Sequence, residues 1–342
     1  MNKKVLLTGG AGFIGHIAIK EILHSTDWEV LTFDRLSYAG DLRRIDYIAK
    51  EIGDSSEKRL RFVYHDLKAP LHNDLIKEIE DVNYIIHIGA SSHVTRSVET
   101  PQIFMEDNIM GSFNLLEASR HLNNLELFYY FSTDEVFGPS LNNEKFKEWD
   151  RYNSKNPYSA TKAAAEEITI AYANTYSLPI LITHCSNVYG ERQHYEKFIP
   201  NTIKKILSKE EIIVHTDSEN LPGSRYYLYN EDLAKSIIFL VKNYKEVAKK
   251  SFETSNMQPP KVNISGQSLV SNLEIVELIG KYLDKEFKYK LVENDPTRPG
   301  HDIKYGLDIS LLNSLGGVFD REFEDGLKRT VEWYIKNPNW TS

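Results

Sequence analysis

The sequence has little cysteine, no long apolar run and no excess of positive charge, and each of these scarcities excludes a class of protein. Its single cysteine, Cys185, cannot form an intramolecular disulfide, so nothing favours an oxidising compartment. No apolar run approaches the roughly 20 residues of a membrane span. Glycines interrupt the apolar opening stretch before it reaches the length of a secretion signal. We therefore expect a cytoplasmic protein.

The charge and composition are those of an ordinary folded protein. Lysine and arginine number 41 against 49 aspartates and glutamates, and the net charge of −8 argues against nucleic-acid binding. At 342 residues the chain is long enough for two domains. The histidines at 65, 72, 87 and 93 lack the spacing of metal ligands, so we expect no metal.

Short apolar runs alternate with helical stretches through the first 130 residues. Runs that are apolar on both faces and separated by helices predict a parallel sheet covered on both sides. The expected fold class is α/β, a doubly wound parallel Rossmann sheet with a smaller C-terminal α/β domain. The first domain is expected at residues 1–187, with a later return of the chain near 226–265, and the second mainly at 188–342. The predicted strands are Lys4–Thr8, Glu29–Phe33, Leu60–Tyr64, Tyr84–Ile88, Leu127–Ser132 and Pro179–Cys185, and the predicted helices are Ile14–His24, 71–80, 103–121, 159–176, Leu233–Lys242, Leu273–Leu283 and Phe323–Asn337.

Residues 8–15, TGGAGFIG, lie directly after the first predicted strand and open a helix. Glycines at this spacing allow a tight turn and let a pyrophosphate approach the positive end of the helix. Asp34 ends the second strand, where an acid binds the adenosine ribose of a dinucleotide. No basic residue precedes Asp34, so NAD is favoured over NADP, although Arg35 leaves NADP open.

A second motif, Tyr158 and Lys162 in the order YxxxK, follows Asn156 and Pro157. Asparagine as a cap and proline at the first helical position predict a helix start here. Residues four apart then lie on one face of the helix. A nearby ammonium and the positive charge of a nicotinamide both favour the phenolate, which makes a tyrosine a usable base. After a dinucleotide motif, this pair predicts hydride transfer at a carbinol.

The strand Leu127–Ser132 is followed by three polar residues, Thr133, Asp134 and Glu135. Ligands of doubly wound sheets bind beyond the carboxyl ends of the strands, so these side chains are expected in the site. Two adjacent carboxyls offer an acid and a base whose pKa values neighbouring groups push apart. The alternative is a loop with solvated acids or a helix cap.

With these motifs the chain resembles the dTDP-glucose 4,6-dehydratase family of the extended short-chain dehydrogenases/reductases. Relatives that are 4-epimerases or decarboxylases lack the TDE triplet, and the inverting UDP-N-acetylglucosamine dehydratases carry TDK. The matching stretches span nearly the whole chain in order: TGGAGFIG (8–15), YAG (38–40), SHV.RS (92–97), STDEV.G (132–138), PYSATKA (157–163), CSN.YG (185–190), EKFIP (196–200), LY.ED (228–232), RPGHD (298–302) and TVEWY (330–334).

The resemblance implies an NAD-dependent conversion of dTDP- or UDP-glucose to the 4-keto-6-deoxy sugar nucleotide. Tyr158, assisted by Lys162, would take the C4 hydroxyl proton while Thr133 bonds O4. Glu135 would then take the C5 proton, and Asp134 would protonate the departing C6 hydroxyl. Three alternatives remain. A 4-epimerase or decarboxylase of the same fold needs the YxxxK pair without the two acids, and a non-catalytic dinucleotide sensor could discard Tyr158. A structural protein needs neither the glycine motif nor the YxxxK pair.

The resemblance also implies two sets of binding residues, one for NAD in the first domain and one for the sugar nucleotide mainly in the second. The NAD-binding positions are Gly9, Gly12, Phe13, Ile14, Gly15, Asp34, Arg35, Leu36, Ser37, Asp66, Leu67, Ile88, Ala90, Ser92, Tyr158 and Lys162. The substrate positions are Ser92, Thr133, Asn187, Lys197, Phe198, Val214, His215, Arg225, Asn263, Arg298 and His301. Among these, Asn187, Arg225, Asn263 and Arg298 would hold the diphosphate.

Some positions depart from the family pattern and bear on the nucleotide base. The loop from His215 to Arg225 is longer than in the bacterial dTDP enzymes, and it lies by the base in this family. Ser91 and Thr95 stand where the family usually shows Glu and Asp. We expect a pyrimidine base, with UDP-glucose accepted at least comparably to dTDP-glucose.

The helices expected near 103–121 and 159–176 carry apolar residues around more of their circumference than one sheet contact needs. In the family that the chain resembles, the equivalent pair forms a four-helix bundle across a two-fold axis. A homodimer is therefore expected.

Overall fold

A parallel sheet of seven strands runs through the computed structural model, which describes residues 2–53, 58–140, 144–293 and 305–340. Every neighbouring pair of strands in this sheet is parallel. The predicted doubly wound parallel sheet is therefore confirmed. In spatial order its strands are β10 (Lys261–Ile264), β6 (Ile180–Cys185), β5 (Leu127–Thr133), β4 (Tyr84–His87), β1 (Lys4–Thr8), β2 (Glu29–Asp34) and β3 (Leu60–Tyr64).

The interior strand β5 shows why the sheet is covered on both sides. All of its residues are buried. Successive side chains point to opposite faces of a strand, so Tyr129 packs in one apolar core and Tyr130 in the other. Burial on both faces explains why the run LFYYF shows no alternation of apolar and polar residues. Among the helices that contribute to the first core are Phe13–Ser25 and Asn230–Lys242, and among those that contribute to the second are Gly111–Ser119 and Pro157–Tyr176.

The strand order reverses between β1 and β4. From β1 the chain builds outward to β2 and β3, and then it crosses to β4, β5 and β6 on the other side. At the ends of these two central strands, Thr8 Oγ1 lies 2.7 Å from His87 Nδ1. In doubly wound sheets a ligand cleft opens at such a reversal, beyond the carboxyl ends of the strands.

The C-terminal part contains two small sheets and a core of its own. β10 returns to the large sheet beside β6. The domain limits at residues 187 and 188 stay a prediction. β7 (Asn187–Tyr189), β9 (Ser224–Tyr229) and β11 (Leu269–Ser271) form one small sheet, and β8 (Ile212–Thr216) pairs with β12 (Tyr289–Glu293). The helices that pack in this third core are Phe198–Leu207, Asn272–Leu283 and Phe323–Lys336.

The predicted helices are present, with ends that differ by a few residues. The stretch expected at 103–121 is a helical run from Pro101 to Ser119 that contains a π-helical turn at Met105–Met110. Sequence reasoning did not find the helices at Leu42–Ile52 and Tyr244–Ser255. Among the described helices, none combines the length and the apolarity that a membrane crossing requires. Shorter helices lie at Asn73–Ile79, Val94–Glu99 and Ser310–Leu315.

Candidate active site

A cleft opens beyond the carboxyl ends of β1, β2, β4, β5 and β6. The loops after these strands form one wall, and residues of the C-terminal part, among them Gln193 and His194, form the other. The glycine motif, the triplet after β5 and the YxxxK pair all line this cleft. The structure therefore brings the three predicted motifs into one site.

The glycine motif forms the tight turn between β1 and the helix that starts at Phe13. Gly9 has a positive φ of 78°, a conformation that favours glycine. A Cβ atom on Gly15 would lie only 2.0 Å from the carbonyl oxygen of Gly9. The first turn of the helix carries no acidic side chain, so no anion of its own competes for the N–H groups there. This turn fits the diphosphate of a dinucleotide.

Asp34 ends β2 beside this turn. Its Oδ2 accepts a hydrogen bond from the amide of Ala11 at 3.0 Å, and its Oδ1 accepts one from the amide of Leu36 at 2.7 Å. Burial raises the pKa of Asp34, and the two amides together with Arg44 and Arg35 oppose that rise. The carboxylate is therefore fixed in the cleft wall with lone pairs left for ribose hydroxyls.

Nearly all of the residues predicted to bind NAD lie on the cleft wall. Leu36 contributes through its amide, which bonds Asp34. The roles of the whole set toward NAD stay a prediction. Those that line the cleft are Gly9, Gly12, Phe13, Ile14, Gly15, Asp34, Arg35, Ser37, Asp66, Leu67, Ile88, Ala90, Ser92, Tyr158 and Lys162.

The helix Pro157–Tyr176 carries Tyr158 and Lys162, and both side chains are buried. Asn156 caps this helix: its side-chain oxygen accepts a hydrogen bond from the amide of Ser159 at 2.8 Å, and the Ser159 hydroxyl accepts one from the amide of Asn156. The helix start predicted at Pro157 is confirmed. The cap fixes the first turn, and with it the position of the tyrosine.

The ammonium of Lys162 donates to the carbonyl oxygen of Phe131 at 2.7 Å and lies 4.3 Å from the ring centre of Tyr130. Burial lowers the pKa of Lys162 to about 7, and the charge of Glu166 opposes this fall. Glu166 stands one helical turn further along, on the same helix. The lysine is thus fixed between its own helix and β5, with an anion nearby that favours its charged form.

Tyr158 is a weak acid in this setting. Burial raises its pKa, the charge of Glu135 raises it further, and a hydrogen bond with Thr133 lowers it. A positive charge placed beside the ring would favour the phenolate. A tyrosine base at this position therefore depends on a cation, such as a nicotinamide, in the cleft.

β5 ends at Thr133, and a 3-10 turn, Asp134–Phe137, follows it. The Thr133 hydroxyl accepts a hydrogen bond from the amide of Glu135 at 3.4 Å and caps this turn. Asp134 is buried, and its pKa is raised to about 7 by burial and then by the charge of Glu135, while Arg225 opposes the rise. Asp134 can therefore hold a proton near neutral pH, as a general acid requires.

The second carboxylate of the pair, Glu135, has a different environment. It accepts a hydrogen bond from the side-chain amide of Asn156 at 3.1 Å. Lys197 reaches toward it from the C-terminal part: burial lowers the pKa of Lys197, and the charges of Glu135 and Glu196 oppose that fall. An amide donor and an ammonium therefore lie around Glu135, whereas Asp134 is enclosed by protein. Asp134 is therefore suited to act as a general acid, and Glu135 is suited to act as a general base.

The cleft also contains some of the predicted substrate residues. Asn187 and Lys197 line it together with Ser92 and Thr133. Arg225 lies near enough to act on the pKa of Asp134 and is 4.9 Å from the ring centre of Tyr305. His215 lies on β8, and Arg298 and His301 lie outside the described residues.

Two of the predicted substrate side chains are used for packing. Val214 is wholly buried in the third apolar core, and Phe198 packs against that core. Neither side chain lies on the cleft wall as the structure describes it. Val214 therefore has no free side-chain face for a ligand, whereas Phe198 is only partly buried, and the substrate roles of both stay a prediction.

Asn263, another predicted substrate residue, lies in a network of hydrogen bonds within the protein. It is wholly buried on β10, and its amide donates to the carbonyl oxygens of Phe146 at 2.9 Å and Asp308 at 3.1 Å. Its side-chain oxygen lies 3.0 Å from His184 Nδ1. These bonds use its donors to hold neighbouring segments together. The side chain of Asn263 is thus engaged within the protein, and its role at the diphosphate stays a prediction.

Sequence reasoning missed several residues of the cleft wall. Tyr38 and Glu196 line the cleft and belong to the matched stretches YAG and EKFIP, so a signal was present. Arg44 and Asp107 line it from within helical segments, where no local pattern marks them. Within the described residues, no group of three or more His, Cys, Asp or Glu side chains is placed to hold a metal.

Comparison with known proteins gives a consistent result. The family described as GDP-mannose 4,6 dehydratase matches residues 6–330. The dTDP-glucose 4,6-dehydratase of Shigella flexneri is 33% identical over 360 residues, covering 98% of this chain and 94% of that protein. The trifunctional UDP-glucose 4,6-dehydratase/UDP-4-keto-6-deoxy-D-glucose 3,5-epimerase/UDP-4-keto-L-rhamnose-reductase of Arabidopsis thaliana is 34% identical over 344 residues, covering 99% of this chain and 48% of that protein. The crystal structure of the dTDP-glucose 4,6-dehydratase of Streptomyces venezuelae with NAD bound superposes with a TM-score of 0.85 at 28% identity, covering 98% of each chain.

Proposed function

Since the chain belongs to the family described as GDP-mannose 4,6 dehydratase, we propose that its cleft converts a nucleotide-activated glucose to the 4-keto-6-deoxy sugar nucleotide with loss of water. The observation that carries this reaction is the pair Asp134 and Glu135 in one cleft with Tyr158. A 4-epimerase of the same fold needs the tyrosine but not two acids with opposed environments. The relatives named as dTDP-glucose and UDP-glucose 4,6-dehydratases support the same reaction.

NAD is the cofactor, in agreement with the similar structures solved with NAD bound. The glycine turn would hold its diphosphate at the start of the helix Phe13–Ser25, and Asp34 would bind the adenosine ribose. NAD held in this way would supply a reversible hydride acceptor and donor for the sugar.

Tyr158 acts first, as the base that removes the proton of the C4 hydroxyl. Thr133, hydrogen-bonded to Tyr158 and placed at the end of β5, would hold O4 in line with the phenol. Lys162, four residues along the same helix, would join the nicotinamide in favouring ionisation of the tyrosine when it is charged, and Glu166 favours that charged form. These residues prepare the oxidation at C4.

Glu135 and Asp134 then remove water across C5 and C6. The ketone at C4 acidifies the proton at C5, and Glu135 takes that proton and returns it to C5 when hydride adds at C6. Asp134, whose pKa of about 7 lets it carry a proton, gives it to the departing C6 hydroxyl. The different surroundings of the two acids assign each its role.

The diphosphate of the substrate would lie on the C-terminal side of the cleft. Asn187 and Lys197 line the wall there, and Arg225 lies near Asp134. A planar guanidinium bonds phosphate oxygens in pairs, and a lysine supplies a point charge. These contacts would hold the sugar so that C4 faces Tyr158.

The experiment that tests this reaction uses substrate deuterated at C4. The dehydratase reaction moves the deuterium to the C6 methyl group and removes one water, which mass spectrometry and proton NMR of the product both detect. A product that keeps its deuterium at C4 and loses no water would instead identify an epimerase. A decarboxylase would release carbon dioxide from a glucuronic acid substrate.

The nucleotide is a pyrimidine diphosphate, with UDP accepted at least comparably to dTDP. The support is the loop between β8 and β9, Asp217–Gly223, which lies within the stretch His215–Arg225 that the family resemblance indicates is longer than in the bacterial dTDP enzymes. The similarity to the Arabidopsis thaliana enzyme, whose name includes UDP-glucose 4,6-dehydratase, agrees with this reading.

The enzyme forms a homodimer through the helices before and after β5. Exposed apolar side chains gather on these helices: Val98, Ile103, Met105, Met110 and Tyr176 are each between 39% and 55% exposed. An apolar face of this kind in a folded protein indicates a binding partner, and a second copy in two-fold symmetry is the commonest one.

The cytoplasm is the proposed compartment. Cys185 is buried and has no disulfide, so the fold does not depend on an oxidising environment.

A further inference from the structure

Arg35, the residue after Asp34 at the end of β2, is held by two carboxylates. Its Nη1 donates to Asp107 Oδ1 at 2.7 Å, and its Nη2 donates to Asp107 Oδ2. Nη1 also lies 3.4 Å from Asp66 Oδ2. The paired contact with Asp107 is a strong one, because the planar fork of a guanidinium matches both oxygens of a carboxylate.

Asp107 comes from a distant part of the chain, the π-helical turn Met105–Met110, and only 5% of its side chain is exposed. Its Oδ2 also accepts a hydrogen bond from the hydroxyl of Ser91 at 2.5 Å. The amide of Ser91 in turn donates to Asn108 Oδ1 at 2.8 Å. The carboxylate is thus fixed by its own helix and by the loop after β4, and it lines the cleft.

We propose that Asp107 sets the cofactor specificity of the cleft by occupying the guanidinium of Arg35, so that NAD is selected over NADP. An arginine at the end of the second strand is a ready ligand for the 2′-phosphate of NADP. Here both of its Nη atoms already face Asp107. The inference rests on the NAD-dependent function proposed above and adds to it a residue that discriminates between two dinucleotides.

The charges around Arg35 favour the same outcome. Asp34, Asp66 and Asp107 line the cleft together with Arg35, and a second guanidinium, that of Arg44, acts on Asp34. A phosphomonoester carries about two negative charges near neutral pH. It would have to displace Asp107 from Arg35 and lie beside the other two carboxylates. The ribose of NAD has a free 2′-hydroxyl, which needs no cation. This hydroxyl can instead donate a hydrogen bond to one of the carboxylates.

The test is a binding titration of the protein freed of its dinucleotide, with NAD and NADP each measured by isothermal calorimetry. Asp107→Asn keeps the shape of the side chain and an acceptor for Ser91 while it releases the charge of Arg35. We expect this variant to bind NADP about tenfold more tightly than the wild type, and to bind NAD within about threefold of it. Asp107→Thr provides the same test if the asparagine variant does not fold.

The matched control is Glu106→Gln, the same change of charge one residue earlier. Glu106 contacts Gln102 and lies 3.8 Å from Lys68, away from Arg35, so NADP affinity should stay at the wild-type value. Adding Arg35→Gln to Asp107→Asn should abolish the gain. An unchanged NADP affinity in Asp107→Asn, an equal gain in Glu106→Gln, or a gain that survives the loss of Arg35 would each overturn the proposal. No sugar nucleotide is present, so the result does not depend on the proposed dehydration.

Discussion

Glu166 and Lys261 form an ion pair enclosed by protein, with Glu166 Oε1 2.9 Å from Lys261 Nζ and at most 2% of either side chain exposed. His184 Nε2 lies 3.1 Å from the same oxygen, and Tyr152 donates its hydroxyl to it. Glu166 belongs to the helix Pro157–Tyr176, whereas Lys261 begins the edge strand β10. The pair therefore ties the helix that carries the YxxxK residues to the far edge of the sheet.

Replacing Glu166 by Gln should destabilise the fold, because Lys261 would keep a buried charge without its partner. Breaking such a pair typically costs about 3–5 kcal/mol. We expect urea denaturation to show a loss of this size in the free energy of unfolding of Glu166→Gln. In the exposed pair of Lys249 and Glu253, 3.9 Å apart, Glu253→Gln should cost less than about 0.5 kcal/mol. Equal losses in both variants would show that burial gives the first pair no special importance.

The raised pKa of Asp134 predicts that the stability of the protein depends on pH. Its pKa is about 7 in the folded protein against an ordinary value of 3.8, so the folded state binds this proton more tightly than the unfolded state. The contribution is complete below the unfolded pKa and is lost as the pH rises through the folded pKa. Between about pH 5 and pH 7, the unfolding free energy of the wild type should fall relative to Asp134→Asn by on the order of 1.4 kcal/mol per pH unit. A difference that does not change with pH would contradict this expectation.

The dimer predicts the mass in solution. Light scattering at micromolar concentration should give about twice the 39.5 kDa of one chain. Met105→Glu places a charge among the exposed apolar residues of the helical run Pro101–Ser119 and should shift the mass toward one chain. Ile335→Glu, at a similarly exposed position on the C-terminal helix, is the control and should leave the mass unchanged. A wild-type mass near 40 kDa would rule out the dimer.

The base preference can be measured by competition among dTDP, UDP and CDP, and by alkali-induced absorbance of the 4-keto product from each glucose nucleotide. Thymine and uracil differ by one methyl group, whose burial is worth about 0.8 kcal/mol, or roughly fourfold in affinity. UDP should therefore compete at least comparably to dTDP. CDP should compete poorly, because the amino group of cytosine would leave a buried donor unpaired at about 1–3 kcal/mol. A tenfold preference for dTDP would show that the loop Asp217–Gly223 does not make the cleft accept UDP comparably to dTDP.

Much of the large sheet was predictable, because strands that are buried on both faces appear in the sequence as continuous apolar runs. The run LFYYF of β5 has no polar residue, and the glycine motif and Asn156 mark where helices begin. The triplet Thr133–Glu135 was placed in the site by the rule that ligands bind beyond the carboxyl ends of strands.

The rest depended on contacts between distant parts of the chain. The family resemblance places Asn263 at the diphosphate, but the pairing of β10 with β6 buries its side chain, which contacts Phe146 and His184. Asp107 stands in a helical stretch, and only the packing of that helix on the loop after β4 brings it to Arg35. No hydrophobic periodicity and no local spacing of residues in the sequence predicts either of these contacts.

The most direct test of the central claim compares Glu135→Gln with Tyr158→Phe after addition of UDP-glucose or dTDP-glucose. Both variants should lose about 10²–10⁴-fold in product formation, because each lacks a positioned base. They should differ in the absorbance of reduced nicotinamide. It should accumulate in Glu135→Gln, where C4 is oxidised but the C5 proton remains, and it should be absent in Tyr158→Phe, where oxidation fails. If Glu135→Gln instead forms product at the wild-type rate, Glu135 is not the base at C5 and the assignment of the acid pair is wrong.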